Sequence, residues 1–574
     1  MLVVGINEGF NASVVFLKDG EIIFALQEER LNKKKEYAGF PEQALKFSLS
    51  YLGINPSDID AVCLSNLKSP TRSREELIAG ADFRADLPHN PDIFWRIRNK
   101  FKNLKAQKKE RAAKTPEEYL QDAGLSQVPL HRYNHHFLHA ASAYYAMRKN
   151  RHEPHLVLTL DGGGDGDCAH IYKVQEDKFD LIAKSSSGNS IGNVYSAMTH
   201  FMGMKPHEHE YKLMGLAAYS NPDYCRPVVD QLKKYVYFSN DNDLCFTHGE
   251  CGKTSFLYNR LPLDFKRVRF DNLAGGVQIF TQEMMLAWVK NAVKKTGIKN
   301  VVVAGGVFMN VKANKIISED PDIDFFDVMP SCGDETLPFG AVWHFYAENN
   351  KENSEKISLK TFCLGPKPDF DLDKVKQQHE GKTLQFEKLD DPVMTAADLM
   401  AKGEIVARCC GPMEFGARSL GNRSLIADAA NQKVIPYINK IIKNRDFWMP
   451  FAPAMLKEEA ARYIKIPKSL SPRISPFMMH SFDTTDSRDE FIAGVHAYDM
   501  TARAQTVDAD SNPGFYQVLQ EFKNKTGKAV CLNTSFNLHG LPIVMGTEDA
   551  VHVMLNSGLK YLIVEDTLIT KIAA

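Results

Sequence analysis

The stretch "HHFLH" at His135–His139 opens a run of small and aromatic residues, "AASAYYA". Read as a helix, it puts His135 and His139 on one face, one turn apart. Two imidazoles in this spacing cannot hold a metal alone, because a divalent ion needs further protein donors, and by themselves they read first as surface or satisfied core histidines. Two aspartates are placed to supply the rest. Asp161 ends the apolar run "HLVLTL" at the mouth of a glycine-rich turn. Asp334, in "MPSCGDETLPFGA", sits where the strand-like "DFFDVM" gives way to a helix starting near Thr336. In open α/β sheets the carboxyl ends of strands are where ligands bind. Each aspartate taken alone is equally a helix cap or a turn residue; the set of four favours metal. Such mixed donors suit iron, zinc or manganese, and an open coordination position accepts phosphate oxygens. His136 points off this face and reads as structural.

A second set of residues suits polyanions. "GPMEFGARSLGNRSLIAD" carries Glu414, Arg418 and Arg423 on a glycine-broken loop before a strand. "NKIIKNRDFWMPFAP" adds Lys443 and Arg445, and "HAYDMTARAQTV" adds Arg503. "CLNTSFNLHGLPIV" ends an apolar strand with Asn533, Thr534, Ser535 and Asn537. Guanidinium groups take phosphate bidentately, and hydroxyls complete a cradle. Earlier in the chain, "HEHEYKLMGLAAY" places Lys212 before an apolar run, "SIGNVYSAMTHFMG" sets Gly192 between Ser190 and Tyr195, and "AGGVFMN" places Gly305, Gly306 and Asn310 where backbone can approach a nucleotide. The blander reading gives Lys212 to the surface and Tyr195 to packing.

These residues need elements to hold them. "LVVGI", "SVVFLKDG" and "EIIFALQEER" read as a hairpin meander with turns at Asn7–Asn11 and Asp19-Gly20, and a similar pattern returns at "HLVLTLDGGGDGDCAHIYKV". Two such hairpins, followed by "NVVVAGGVFMN", fit the actin-like, sugar-kinase-like ATPases, which hold phosphates from two sides. A basic insertion of about 66–125 separates the hairpins. Its segment 95–114 carries nine Lys/Arg against one Glu and reads as a solvated helix rather than a nucleic-acid surface. The polar linker "ENNKENSEKIS" divides the chain into domains 1–350 and 351–574. The second mixes helices ("DPVMTAADLMAKG", "NPGFYQVLQEFKNKTG") with strands ("EIVARCC", "PFMMH", "AVCLNTSF", "YLIVED"). The fold class is therefore α/β in both domains.

Composition excludes several classes. At 574 residues, with 70 basic and 71 acidic side chains, the chain has no charge bias toward nucleic acid or a membrane surface. No apolar run approaches the roughly 20 residues of a membrane span, and "MLVVGINEGF" has no signal-peptide pattern. Ten scattered cysteines without a C-x-x-C pair read as reduced, structural thiols, Cys332 included, in a cytoplasmic protein.

Together the motifs "HHFLHAASAYY", "YKLMGLAAY", "AGGVFMN", "GARSLGNRSL", "RDFWMPFAP", "RAQTV" and "LNTSFN" resemble those of the antibiotic and nodulation-type O-carbamoyltransferases, over nearly the whole chain. The resemblance implies an actin-like N-terminal domain, similar to threonylcarbamoyl transferases, that carries a metal on His135, His139, Asp161 and Asp334, usually iron. It implies a YrdC-like C-terminal domain that binds ATP, as Mg-ATP, and carbamoyl phosphate through the second set of residues. The implied reaction forms carbamoyl-adenylate, then passes the carbamoyl group to an acceptor alcohol or amine; a homodimer is compatible with this. Arg418 and Lys443 are the residues it implies for activation. Two positions depart from the family: Phe10 and Asn11 stand where it carries His-Asp, and Glu36 stands where it carries a histidine, with Lys35 retained. Lys35, Glu36 and Asn11 are thus the candidates for the transfer chemistry. A third change, Leu541 for a frequent glutamate, is minor.

Overall fold

The computed structural model describes residues 1–68, 114–443 and 445–572; the basic segment read at 95–114 falls, apart from Lys114, outside them. Strands β1 (Leu2–Asn7), β2 (Ser13–Lys18) and β3 (Glu21–Gln27) form the expected meander, every residue of β1 being buried. Strands β4 (Ala61–Leu64) and β5 (Leu130–Arg132) add to it in parallel, giving the order β3-β2-β1-β4-β5. A second sheet repeats this plan. Its meander is β6 (His155–Gly164), β7 (Asp167–Gln175) and β8 (Lys178–Ser186). After a small hairpin of β9 (Val236–Phe238) and β10 (Phe246–His248), strands β11 (Asn300–Ala304) and β12 (Phe325–Val328) pair in parallel beside β6. The order β8-β7-β6-β11-β12 matches that of the first sheet. This duplicated antiparallel-then-parallel sheet is the actin-like architecture that the two hairpins predict.

The C-terminal part is built on one eight-stranded mixed sheet. Its strands are β13 (Leu384–Lys388), β14 (Val406–Cys409), β15 (Arg423–Ala427) and β16 (Ala452–Leu456), then, past the two-residue ladder of β17 (Phe482–Asp483) and β18 (Thr501–Ala502), β19 (Gln505–Val507), β20 (Val530–Ser535), β21 (Tyr561–Val564) and β22 (Thr567–Lys571). The order is β13-β22-β21-β14-β15-β20-β16-β19, an α/β sheet in keeping with the YrdC-like expectation. The helices Pro392–Ala401 and Pro513–Thr526 form as read. "PFMMH" does not form a strand: Phe477, Met478 and Met479 instead insert into the N-terminal core. Packing also softens the division at 350, since Ile357, Leu359 and Phe362 join that same core and Leu364 accepts a hydrogen bond from Ala25 of β3. Apolar side chains bury where the nearest core is, whatever the linker before them.

The alanine face of helix His135–Met147 has its partner in helix Leu337–Asn349. A Cβ on Gly340 would lie 2.2 Å from the Leu138 carbonyl oxygen and 2.9 Å from the Ser142 nitrogen. Only small residues permit this approach, and it brings the two histidines against the segment that carries Asp334. All ten cysteines are free thiols, and no helix among the described residues is long and apolar enough to cross a membrane.

Candidate functional site: a four-ligand cluster and a buried cation pocket

Helix His135–Met147 starts under Asn134, whose side chain caps Phe137 N–H, while the His135 N–H donates to Asp165 at 2.9 Å. His135 and His139 then face the end of β6 and the turn after β12. The His139 Nε2 lies 3.1 Å from Asp161 Oδ2 and 3.5 Å from Asp334 Oδ1; the His135 Nε2 lies 3.5 Å from each. All four donor atoms fall within 4.8 Å of one another. Two glycines make the room: a Cβ on Gly164 would sit 2.2 Å from the His135 ring, and one on Gly306 would sit 3.2 Å from Asp161 Oδ1.

The electrostatics ask for a cation. Burial pushes Asp161 up, but hydrogen bonds to His135 and His139 outweigh it and hold the carboxyl well below its usual range. Asp334 is raised by burial, and the like charge of Asp161 adds to this against the pull of His135. Burial works against charge on His139, yet its bonds to Asp161 and Asp334 push it up to about 9. The Nδ1 of His135 lies 3.1 Å from Asn66 Oδ1. Donation to that amide oxygen leaves the Nε2 lone pair aimed at two carboxylates, an arrangement that is favourable only with a cation or a proton between them. The donor set fits a divalent metal of the iron, zinc or manganese type. His136 is buried away from it, between Thr159 Oγ1 at 2.9 Å and the Asp167 carbonyl at 3.0 Å.

The second cluster is a pocket of buried cations whose charge the nearby anions offset only in part, Asp446 acting on Arg445 and Glu335 on Arg418. Glu414 organises its first loop: one carboxylate oxygen accepts the N–H groups of Leu420 (2.7 Å), Asn422 (3.2 Å) and Arg423 (3.0 Å). Arg418 stands on that loop, and Lys443 donates to Ser535 Oγ (2.8 Å) and Asn537 Oδ1 (3.0 Å) at the end of β20. Arg445 donates to Asn439 (2.6 Å) and lies 4.1 Å over the Phe451 ring. Arg503 completes the set. Burial holds Lys443 well below the usual lysine range, with Arg445 and Lys35 adding repulsion. Burial, then Arg418 and Arg445, lower Arg503 in the same way. Arg418 is lowered by burial and Arg445 is brought to about 10 by burial. The Nε atoms of Arg418 and Arg503 have no hydrogen-bond partner. Buried charge without a full counter-charge is costly, and the arrangement suits a polyanion.

Several expected ligand residues have partners within the fold. Arg423 spends its guanidinium on backbone carbonyls of Met545, Gly411, Asn422 and Pro366, at 2.9 to 3.1 Å, and is fully buried. Asn533 is tied to Gln505 (2.8 Å) and the Ser419 carbonyl (3.2 Å). Asn310 exchanges hydrogen bonds with Gln278 and caps Ala313 N–H. Gly305, at φ 102°, is required because a Cβ would meet the Leu160 oxygen at 2.3 Å. Thr534 pairs with Leu425 in the sheet.

Lys212 is buried rather than on the surface, and pairs with Asp446 at 2.9 Å. Tyr195 is buried and donates to Gln278 at 2.9 Å. At the two departures from the family pattern, Asn11 and Glu36 both take left-handed backbone, φ 55° and 54°, the kind of strain that gathers at functional sites. Asn11 donates to Glu335 at 3.3 Å, Phe10 meets the His207 ring edge-on at 6.2 Å, and Lys35 pairs with Glu208 at 3.6 Å.

Sequence reasoning missed the residues that join the two clusters. Ser331 donates to Glu335, next to the candidate ligand Asp334, and accepts the N–H of Ala417, next to Arg418, at 3.0 Å. Gly416 is held by Gln27 (3.2 Å) and its carbonyl by Arg30 (2.6 Å). The adjacency of Glu335 to Asp334 and the charged "EER" after β3 were the available signals.

Comparison with known proteins agrees with this layout. The family described as "Carbamoyltransferase N-terminus" matches residues 3–343, and "Carbamoyltransferase C-terminus" matches 397–571. An uncharacterized protein of Synechocystis sp. is 28% identical over 100% of this chain and 97% of its own length. One from Methanocaldococcus jannaschii is 29% identical over 100% of both. The nodulation protein NolNO of Sinorhizobium fredii is 29% identical over 98% of this chain and 79% of its own length.

Proposed function

The chain belongs to the carbamoyltransferase family, and from that premise we propose that it is an ATP-dependent O-carbamoyltransferase working in two stages. The observation that carries this reading is the pocket of Arg418, Lys443, Arg445 and Arg503, whose buried positive charge exceeds that of the anions beside it. Its excess positive charge suits the phosphates of ATP and carbamoyl phosphate. Carbamoyl phosphate loses inorganic phosphate to water, and the carbamate oxygen attacks the α-phosphorus of ATP. Carbamoyl-adenylate forms and pyrophosphate leaves. Arg418 and Arg503, with donors to spare, stabilise charge developing on the phosphoryl oxygens, while Lys443 is pre-aimed by Ser535 and Asn537.

In the second stage an acceptor hydroxyl attacks the carbamoyl carbon and AMP departs. His135, His139, Asp161 and Asp334 would hold the metal, which when bound supplies a Lewis acid for phosphate or carbonyl oxygen. Glu36 is our candidate for taking the hydroxyl proton, standing where the resemblance expects a histidine. Lys35 beside it stays charged: burial opposes this, but Glu36, Tyr211 and Glu208 raise it above the usual lysine value. Carbamate species decompose in water, so enclosing both stages in one chain serves the chemistry.

The test is incubation with Mg-ATP and carbamoyl phosphate, without acceptor, followed by assay of pyrophosphate and mass spectrometry for carbamoyl-adenylate. Both products are expected. Absence of both from metal-loaded protein that still binds ATP would overturn the reading in favour of a nucleotide-binding regulator.

A further inference from the structure

The helix Glu210–Ala217 faces two environments along one side. Lys212 points to Asp446 in the charged cavity. Leu216, one turn on, lines an apolar cleft of about 450 Å³ together with Met204, Phe270, Leu273, Phe447 and Trp448. The cleft's walls come from both parts of the chain, and among the described residues no charged one lines it. It is joined to the cation pocket by covalent sequence: Arg445 and Asp446 precede Phe447 and Trp448, and the Trp448 indole donates to the Lys212 carbonyl at 3.3 Å. Two of its aromatic walls are costly to leave in water, with Phe447 82% and Phe270 62% exposed. Large exposed aromatics around a concave surface mark a binding site, and the volume lies in the range of about 300–1,000 Å³ usual for small-molecule pockets.

We propose that this cleft binds the apolar part of the carbamoyl acceptor, so that the acceptor is an amphipathic alcohol, with an alkyl chain or ring system in the cleft and a hydroxyl reaching past Lys212 toward the transfer site. The acceptor role rests on the carbamoyltransferase reading; the cleft's preference for apolar ligands does not. An uncharged lining rejects a nucleotide or sugar phosphate, whose desolvation it could not offset. Concavity favours a small molecule over a protein surface, and the segment Arg445–Trp448 sets the cleft beside the cation pocket.

The probe is octyl β-D-glucopyranoside, below its micellar concentration, against the methyl and hexyl glucosides, followed by tryptophan fluorescence with Trp448→Phe as the blank. Trp288 and Trp343 are fully buried. Each added methylene is expected to tighten binding about three- to fourfold. Phe270→Ser and Phe447→Ser, at exposed positions that the fold does not need, are expected to weaken the octyl glucoside at least about tenfold. Equal binding of methyl and octyl glucosides, or undiminished binding by both variants, overturns the cleft. This measurement needs neither ATP nor carbamoyl phosphate, so its failure leaves the activation chemistry untouched, and failure of pyrophosphate formation leaves it interpretable. Once carbamoyl-adenylate forms, octyl glucoside should gain a carbamoyl group faster than methyl glucoside; equal rates, or transfer to neither, overturn the acceptor assignment.

Discussion

The backbone N–H of Ala417 rests on the hydroxyl of Ser331 at 3.0 Å. Ser331 in turn donates to Glu335, the neighbour of Asp334. The loop that presents Arg418 is thus hydrogen-bonded to the loop that presents a candidate metal ligand, and each cluster helps to set the geometry of the other.

Gly416→Ala should break this joint. Gly416 has φ 89°, and a Cβ would lie 2.5 Å from the Ser331 side chain. A loss of about 2–4 kcal/mol in stability is expected, measured by denaturant titration, together with a fall in pyrophosphate formation. Wild-type stability would show that the loop is free to move away from Ser331.

Arg503→Gln should separate stability from activity. Removing one uncompensated buried cation is expected to stabilise the anion-free protein by on the order of 1 kcal/mol, while pyrophosphate formation drops about 10²–10³-fold. Thermal melts with and without pyrophosphate check the first part: the ligand-induced rise in melting temperature should shrink in the variant. A variant less stable than wild type without ligand would mean that Arg503 already has its counter-charge.

The metal site should respond to residues that never touch the metal. Gly164→Ala would push a Cβ into the His135 ring, and should lower metal content as severely as Asp161→Asn. Asn66→Ala frees the His135 tautomer and should weaken metal affinity about 10–100-fold. Metal analysis after dialysis, with competition by a chelator, reads both. Full occupancy in Asp161→Asn would remove that residue from the ligand set.

Glu28 gives a pH signature outside both clusters. Burial raises it to about 7 from 4.5, in spite of the N–H groups of Ala44 and Gln43 that it accepts. Because its folded value lies above its unfolded one, the folded protein binds the extra proton. The cost of ionising Glu28 on folding is therefore absent below about pH 4.5, grows up to pH 7 and is constant above. Glu28→Gln should gain stability relative to wild type across that window, by at most about 3 kcal/mol, and then plateau. A difference that does not change between pH 5 and 8 would contradict the shift.

Much of this was legible in the residues themselves. The apolar runs of "SVVFLKDG" and "HLVLTL" determined β2 and β6, because strands buried on both faces read as continuous apolar stretches. The spacing His135–His139 determined that both rings share a helix face, and Asp161 and Asp334 were readable as residues at strand ends. The repeated hairpin pattern likewise foretold two sheets of one topology.

What the sequence could not separate was one arginine from another. Arg418 and Arg423 stand five positions apart in one motif, yet only tertiary packing gives Arg423 its acceptors, the carbonyls of Pro366, 57 residues before it, and Met545, 122 residues after it. No local period encodes carbonyls that arrive from such distances. The same holds for Asn310, claimed by Gln278 on a separate helix, and for "PFMMH", whose apolar residues were drawn into the N-terminal core. Residue type and spacing determined which groups were available; the partners within about 3 Å, which only the folded chain brings together, decided which of them were left for a ligand.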